Sequence, residues 1–211
     1  MIRKPARAYR IETERLVIRC YEPKDAFVLA DAIASSMPEL LPWIPWAKEG
    51  PETEEDKIAR IRWMRGKFDM DEDYTFAIFD RQEKTFIGST GFHRRVGNNA
   101  SEIGYWINTA FAGKGYASEA VKALVKTGFE IECLERLEIH VDPRNHKSVQ
   151  IPGKLGFFHE ATLQKRYQRG NDPLQDTMIW TMFREDYEKS DLRFMPLNVF
   201  DFLGRKISLT N

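Results

Sequence analysis

Ala112-Gly113-Lys114-Gly115-Tyr116-Ala117-Ser118 is the stretch of this chain best suited to hold a ligand. It lies between an alternating run ending near Ile107 and a helical pattern opening near Ala117. At such a strand-to-helix turn, successive backbone N–H groups converge and the helix dipole adds positive potential, an arrangement that suits a pyrophosphate. Gly113 and Gly115 let the backbone approach the oxygens with no Cβ in the way. The stretch is not a nucleoside-triphosphate loop, because Gly-Lys is followed by Gly115 where Ser or Thr is required. It is not the dinucleotide GxGxxG either. Glycines serving turn geometry alone would read the same way.

A second group follows one strand later. Asp142-Pro143-Arg144-Asn145-His146-Lys147-Ser148 begins where the run Leu137–Val141 ends. In an open sheet, ligands bind beyond the carboxyl ends of parallel strands, so Asn145 and Ser148 are expected at the same crevice as the glycine loop. Asn can both donate to and accept from an amide, and Ser can donate a proton. Taken alone, the segment also reads as a helix N-cap.

The elements that must position these groups follow from periodicity. Arg15–Cys20 alternates and reads as a strand, and Asp25 caps a helix with Phe27, Ala30, Ala34 and Met37 on its apolar side. Pro38–Pro51 reads as an apolar loop. Thr53 and Asp56 form a capping signature ahead of a helix carrying Ile58, Ile61, Met64 and Phe68. Tyr74–Phe79, Thr85–Phe92 and Ser101–Ile107 are strands with tight connections, which predicts an antiparallel meander. Ser118–Glu130 is a helix burying Val121, Leu124, Val125 and Phe129, and the next strand, Leu137–Val141, completes a crossover that makes the last pair parallel. A short helix, Ser148–Leu155, contains Pro152, and the strands Phe157–Lys165 and Asp176–Phe183 close the sheet. The fold class is mixed α/β, its sheet changing from antiparallel to parallel at the glycine loop.

Length and composition bound the rest. The chain has 211 residues, 42% hydrophobic and 30% charged, which predicts one folded domain with a real core. Lys+Arg and Asp+Glu are equal at 32 each, so nucleic acid is not expected as the main partner. Cys20 and Cys133 form neither a disulfide framework nor a zinc cluster, and they suit a reducing cytoplasm. No apolar run is long enough to span a membrane. Met1–Arg10, with four basic residues and no apolar core, reads as a solvated arm.

The order Glu102-Ile103-Gly104-Tyr105-Trp106-Ile107, Gly113-Lys114-Gly115-Tyr116-Ala117, Asn145-x-x-Ser148 and Lys154-Leu155-Gly156-Phe157 resembles the GNAT family of acetyl-CoA-dependent N-acetyltransferases. Within it the chain is similar to the RimJ/RimL type, which acetylates N-termini of ribosomal proteins. Thr13-Glu14-Arg15-Leu16 and Leu41-Pro42-Trp43-Ile44-Pro45-Trp46 share in that likeness, which covers roughly residues 11–187.

The resemblance implies that acetyl-CoA is the cosubstrate, with no metal. Ala112, Gly113, Lys114, Gly115, Tyr116, Ala117 and Ser118 would hold its pyrophosphate. The backbone of Trp106, Ile107 and Asn108 would pair with the pantetheine arm, and Asn145 would hydrogen-bond that arm. Ala112 stands where the family's signature opens with Arg or Gln, which should weaken rather than abolish binding. An amine must lose a proton before it attacks a thioester. Glu102, on the strand beside the pantetheine, is the candidate general base acting through water. Ser148 matches the position implied to protonate the departing thiolate. His93, His140, His159 and Tyr167 are further candidates to line the cleft, each read as structural before catalytic. Trp43 and Trp46 are expected to grip the acceptor. The expected acceptor is a protein or peptide N-terminal amine; alternatives are a small amine such as a polyamine or aminoglycoside, or a non-catalytic acyl-CoA-binding module. The family domain is expected over 1–187. Residues 188–211 form an apolar extension expected to bury Phe194, Phe200 and Phe202 against the domain or in a homodimer.

Overall fold

The computed structural model describes residues 7–44, 53–168 and 172–209. Its strands form one ten-stranded sheet. Arg10–Glu12 (β1) pairs antiparallel with Leu16–Cys20 (β2), and Thr13 Oγ1 closes the turn by accepting from the Leu16 amide at 3.0 Å. Tyr74–Asp80 (β3), Phe86–His93 (β4) and Ala100–Ile107 (β5) form the expected antiparallel meander, with Gly91 opposite Gly104 and His93 opposite Glu102.

Helix α3 (Tyr116–Glu130) leads to β6 (Arg136–Val141), which runs parallel to β5. The two strands pair only from Ala100, Ser101 and Glu102 to Arg136, Leu137 and Glu138, and beyond these they part. Helix α4 (His146–Lys154) follows, and Pro152 keeps it short. Phe158–Tyr167 (β7) and Gln175–Phe183 (β8) pair antiparallel, with β8 lying between β6 and β7.

Alternation gives the sheet two faces. On one, Leu16, Ile18, Phe76, Phe92 and Ile103 pack against Val121, Leu124, Val125 and Phe129 of α3, all nearly inaccessible. On the other, Val17, Ala77 and Phe79 pack beneath α1 (Ala26–Leu40) and α2 (Glu54–Asp69). Thr53 and Asp56 cap α2 reciprocally, as the spacing predicts. Phe68, at the end of α2, meets Tyr9, Tyr74 and Phe76 edge-on at 4.9, 5.2 and 5.0 Å.

Several expectations are corrected. The end of the basic N-terminal arm is not solvated: Ala8 is buried, Tyr9 donates to Asp69, and Arg10 opens β1. Helix α1 runs through Pro38 to Leu40, because a proline this near the end removes only one ladder bond. Its buried face is Ala26, Leu29, Ala30, Ala32, Ser36 and Leu40, while Phe27 is exposed. Small alanines let the helix approach Val17 and Ala77 closely, and the larger Phe27 is left outside.

The C-terminal segment continues with α5 (Arg184–Lys189), β9 (Asn198–Phe200) and β10 (Lys206–Ile207). β9 pairs with β1, and β10 pairs with β9, at one end of the sheet. Val199 is fully buried, whereas Phe200 is half-buried and Phe194 and Phe202 are 71% and 68% exposed, contrary to expectation. In a strand only alternate residues face the core, and Val199 takes that place.

Candidate active site

The parting of β5 and β6 organises the site. Asn108 donates its backbone N–H to Ile87 at 2.8 Å, back toward β4. By strand alternation Trp106 and Gly104 also turn their amides toward β4, and Ile103, Tyr105 and Ile107 turn theirs to the other edge. Among the described residues, that edge has no strand partner beyond Glu102. Of Trp106, Ile107 and Asn108, therefore, Ile107 faces the opening with its amide groups. The Trp106 ring lies on the α1/α2 side, 5.9 Å from Phe86.

Beyond β5 the chain makes a 3-10 turn at Thr109–Phe111 and enters the glycine loop. Gly113 and Gly115 have φ of +76° and +82°, the left-handed region that favours glycine, and Gly115 is the N-cap of α3. Ala112, Gly113, Lys114 and Gly115 are exposed, and Tyr116, Ala117 and Ser118 half-buried. A cavity of about 470 Å³ adjoins Gly115, Ser118 and Lys122.

The loop is braced from the first strand pair. Glu119, in the first turn of α3, accepts from Thr13 Oγ1 at 2.6 Å, from the Arg15 amide at 3.1 Å and from Arg15 Nε at 2.6 Å. Arg15 also donates to the Lys114 carbonyl at 3.0 Å and lies over the Tyr116 ring. The Thr13-Glu14-Arg15 motif is thus a buttress of the loop. Lys114 turns back to the Ala110 carbonyl at 3.2 Å.

Asn145 caps α4, its Oδ1 accepting from the Ser148 amide at 3.2 Å. The Ser148 carbonyl accepts from the Tyr105 hydroxyl at 3.3 Å, which ties α4 to β5. Burial pushes the Tyr105 phenol well up, so it acts as a neutral donor. Ser148 thus stands beside β5 on the α3 side of the sheet, with Asn145 at the head of the same helix.

Glu102 lies on the opposite face, at the last paired position before the strands part. It is 5% exposed, and Arg95 holds both of its oxygens, Nε at 2.7 Å and Nη2 at 2.6 Å. Burial, the largest influence, would raise its carboxyl; the Arg95 hydrogen bonds and the charges of His140, Arg95 and His93 outweigh it and hold the group below the ordinary glutamate value. The expected free proton acceptor is thus a carboxylate already occupied by a guanidinium. Across on β6, His140 stands between two carboxylates, Nδ1 3.4 Å from Glu102 and Nε2 2.6 Å from Glu138. Arg95 was not legible as a site residue, since only the β4–β5 register brings it there.

Trp43 is half-buried just past α1, its amide bonded to the Leu40 carbonyl, whereas Trp46 lies outside the described residues. His159 faces Trp180 on β8 and bonds Thr162. Among the described residues, no group of three or more His, Cys, Asp or Glu side chains is arranged to hold a metal ion.

Comparison with known proteins agrees with this geometry. Residues 15–158 match the model of the acetyltransferase (GNAT) domain. The chain is 33% identical over 162 residues to an uncharacterized N-acetyltransferase, YnaD, of Bacillus subtilis, covering 77% of this chain and 90% of that one. It is 30% identical over 154 residues to the [ribosomal protein uS5]-alanine N-acetyltransferase of Escherichia coli, covering 72% and 79%. A GNAT-family acetyltransferase of Bacillus anthracis superposes with a TM-score of 0.72 at 30% identity, over 83% of this chain and 99% of that one. RimJ of Mycobacterium smegmatis, solved in complex with CoA-disulfide, superposes with a TM-score of 0.75 at 20% identity, over 89% and 90%. The glycine loop, the parting strands and these likenesses together place the chain in the GNAT acetyltransferase family, in its RimJ/RimL type, as an N-acetyltransferase.

Proposed function

We propose that the enzyme transfers an acetyl group from acetyl-CoA to the N-terminal α-amine of a protein or peptide, by direct attack in a ternary complex. The observation that carries this reading is the edge of β5 from Ile103 to Ile107, which has no strand partner among the described residues and leads on to the left-handed glycines at 113 and 115. An extended pantetheine arm can complete that edge as a strand would, leaving its pyrophosphate at the start of α3. The solved RimJ of Mycobacterium smegmatis, bound to a CoA derivative, shares this fold.

The chemistry follows from the two faces. Acetyl-CoA enters beside Asn145 and Ser148, and the Ser148 hydroxyl protonates the departing thiolate. The acceptor enters on the opposite face, past Trp43, toward Glu102. Glu102, kept an anion by Arg95, attracts the incoming ammonium and orders the water beside it. An amide turned to the parting, such as that of Ile107, is placed to donate to the tetrahedral oxyanion. The Escherichia coli relative is named for an alanine N-terminus of a ribosomal protein, which favours a protein acceptor over a small amine. The setting proposed is the cytoplasm. The exposed Phe194, Phe202 and Leu203 are the surface on which a homodimer would form.

Thiol release from acetyl-CoA tests the reading. The enzyme is incubated with peptides bearing free N-termini, the same peptides with blocked N-termini, polyamines and aminoglycosides. Release with free N-termini alone is expected. Release with small amines alone would replace the acceptor, and binding of acetyl-CoA without release would leave a binding module.

A further inference from the structure

The reaction needs a group that takes the proton from the attacking amine, and Glu102 is already held by Arg95. A second group on the same face is held through only one of its two nitrogens. His93, the last residue of β4, places Nδ1 3.0 and 3.1 Å from the two carboxylate oxygens of Asp73. A carboxylate only accepts hydrogen bonds, so in the neutral ring Nδ1 carries the proton and Nε2 the lone pair. Nε2 has no hydrogen-bond partner among the described residues.

The two strands make room for this ring. Gly91 and Gly104 face each other across β4 and β5. A Cβ on Gly104 would stand 2.7 Å from His93 Nε2, and one on Gly91 would stand 3.3 Å from its Cε1. Two opposed glycines therefore leave a trough that the imidazole fills, with its Nε2 edge over β5 two residues beyond Glu102. That is the stretch of β5 whose other edge lacks a strand partner among the described residues. The charged and titratable groups around the ring are Asp73, Glu102 opposite it, Arg95 on Glu102, and Glu138 and His140 across the parting.

We propose that His93 is the proton acceptor of this acetyltransferase and that Asp73 is the positioning residue that aims it. The inference rests on the acetyl-transfer reading above. The acceptor ammonium gives one proton to His93 Nε2. The freed amine lone pair attacks the thioester carbon, forming the C–N bond, and collapse breaks the C–S bond. The second nitrogen proton leaves with the CoA sulfur through Ser148, which donates its own proton and is reprotonated. Imidazolium returns its proton to water. Glu102 holds the ammonium in place without taking its proton.

The test uses the full chain with acetyl-CoA and an accepting peptide. His93→Gln keeps the volume and a bond to Asp73 but offers no base, and its kcat should fall about 10²–10⁴-fold. Acetyl-CoA affinity by calorimetry should stay unchanged. His93→Ala opens the trough, and imidazole added to the buffer should restore part of its rate. Asp73→Asn should lower kcat and leave the KM for acetyl-CoA unchanged. Wild-type kcat in His93→Gln overturns the proposal, and so does a folded His93→Ala that imidazole does not rescue. A wild-type enzyme that releases no thiol with any amine overturns the acetyl-transfer reading and this inference with it. A wild type that turns over beside an equally active His93→Gln overturns this inference alone.

Discussion

Arg95 grips both oxygens of Glu102, at 2.7 and 2.6 Å, where β5 and β6 cease to pair. The glutamate is 5% exposed while the Arg95 side chain is 64% exposed, so the pair joins a buried anion to a solvent-bathed cation. It keeps a negative charge fixed at the mouth of the opening.

Replacing Arg95 with Met removes the group that overcomes the burial of Glu102. The carboxyl should then rise. Because the folded value is depressed in the wild type, the stabilisation is present above the unfolded value of about 4.3 and is lost as pH falls through the folded one. With the exposure of Arg95 discounted, the loss at neutral pH should be on the order of 1 kcal/mol. Melting curves of both proteins between acid and neutral pH should differ above about pH 4.3 and converge below it. A constant gap across that range would refute the assignment.

Gly115 is expected to be intolerant for a conformational reason. A Cβ there would meet only Arg15 Nη2, at 3.5 Å, an ordinary contact. The φ of +82° is what a branched side chain resists, at roughly 1–2 kcal/mol. Gly115→Val should therefore turn the loop's N–H groups out of register and weaken acetyl-CoA binding while the chain stays folded. Calorimetry showing unchanged affinity in a folded variant would remove the loop from the binding site.

Glu119 tests the buttress separately. Glu119→Ala strips Thr13 and Arg15 of their shared acceptor without touching a loop glycine. The KM for acetyl-CoA should rise several-fold, and that for the peptide should stay unchanged. Equal rises in both would mean that the buttress supports the whole site and not the loop.

The loop and the meander were legible because their signals are local. Gly113 and Gly115 stand between a period of two and a helical period, and Thr53 and Asp56 cap α2 three residues apart. What was hidden depends on register or on very short elements. Arg95 meets Glu102 only because His93 lies opposite Glu102, and the trough for the His93 ring exists only because Gly91 lies opposite Gly104. β1, β9 and β10 have three, three and two residues, too few for alternation to show. The buried face of α1 is hidden in the sequence because alanines, weak as apolar signals, approach the sheet more closely than Phe27 does.

The two cysteines should react very differently. Cys20 is buried and its burial pushes the thiol up to about 12, so almost no thiolate forms at neutral pH. Cys133 is exposed. A disulfide reagent should therefore modify Cys133 in the folded chain and reach Cys20 only on unfolding. Fast reaction of both thiols without denaturant would contradict the packing of β2.

The C-terminal segment should prove to be part of the fold. β9 completes the backbone pairing of β1, and Val199 is fully buried beside Ile11. Burial of that one side chain is worth ~1.5–3 kcal/mol. Lys126, 9% exposed on α3, donates to the Arg193 and Met195 carbonyls at 2.5 and 3.2 Å. Deletion of residues 190–211 would strip β1 of its outer partner and leave a buried ammonium without those two acceptors, and each loss costs free energy. The melting temperature should fall by several degrees, and the bared edge of β1 should favour aggregation. Lys126→Met in the full chain isolates the ammonium from the strand: it should cost less than the deletion, since β9 stays paired. Light scattering on the same proteins examines the exposed Phe194, Phe202 and Leu203. If they form a dimer contact, Phe202→Asp should halve the measured mass while leaving the melting temperature of the monomer near that of the parent. A truncated chain with unchanged melting temperature and solubility would show that β9 contributes nothing to the sheet it joins.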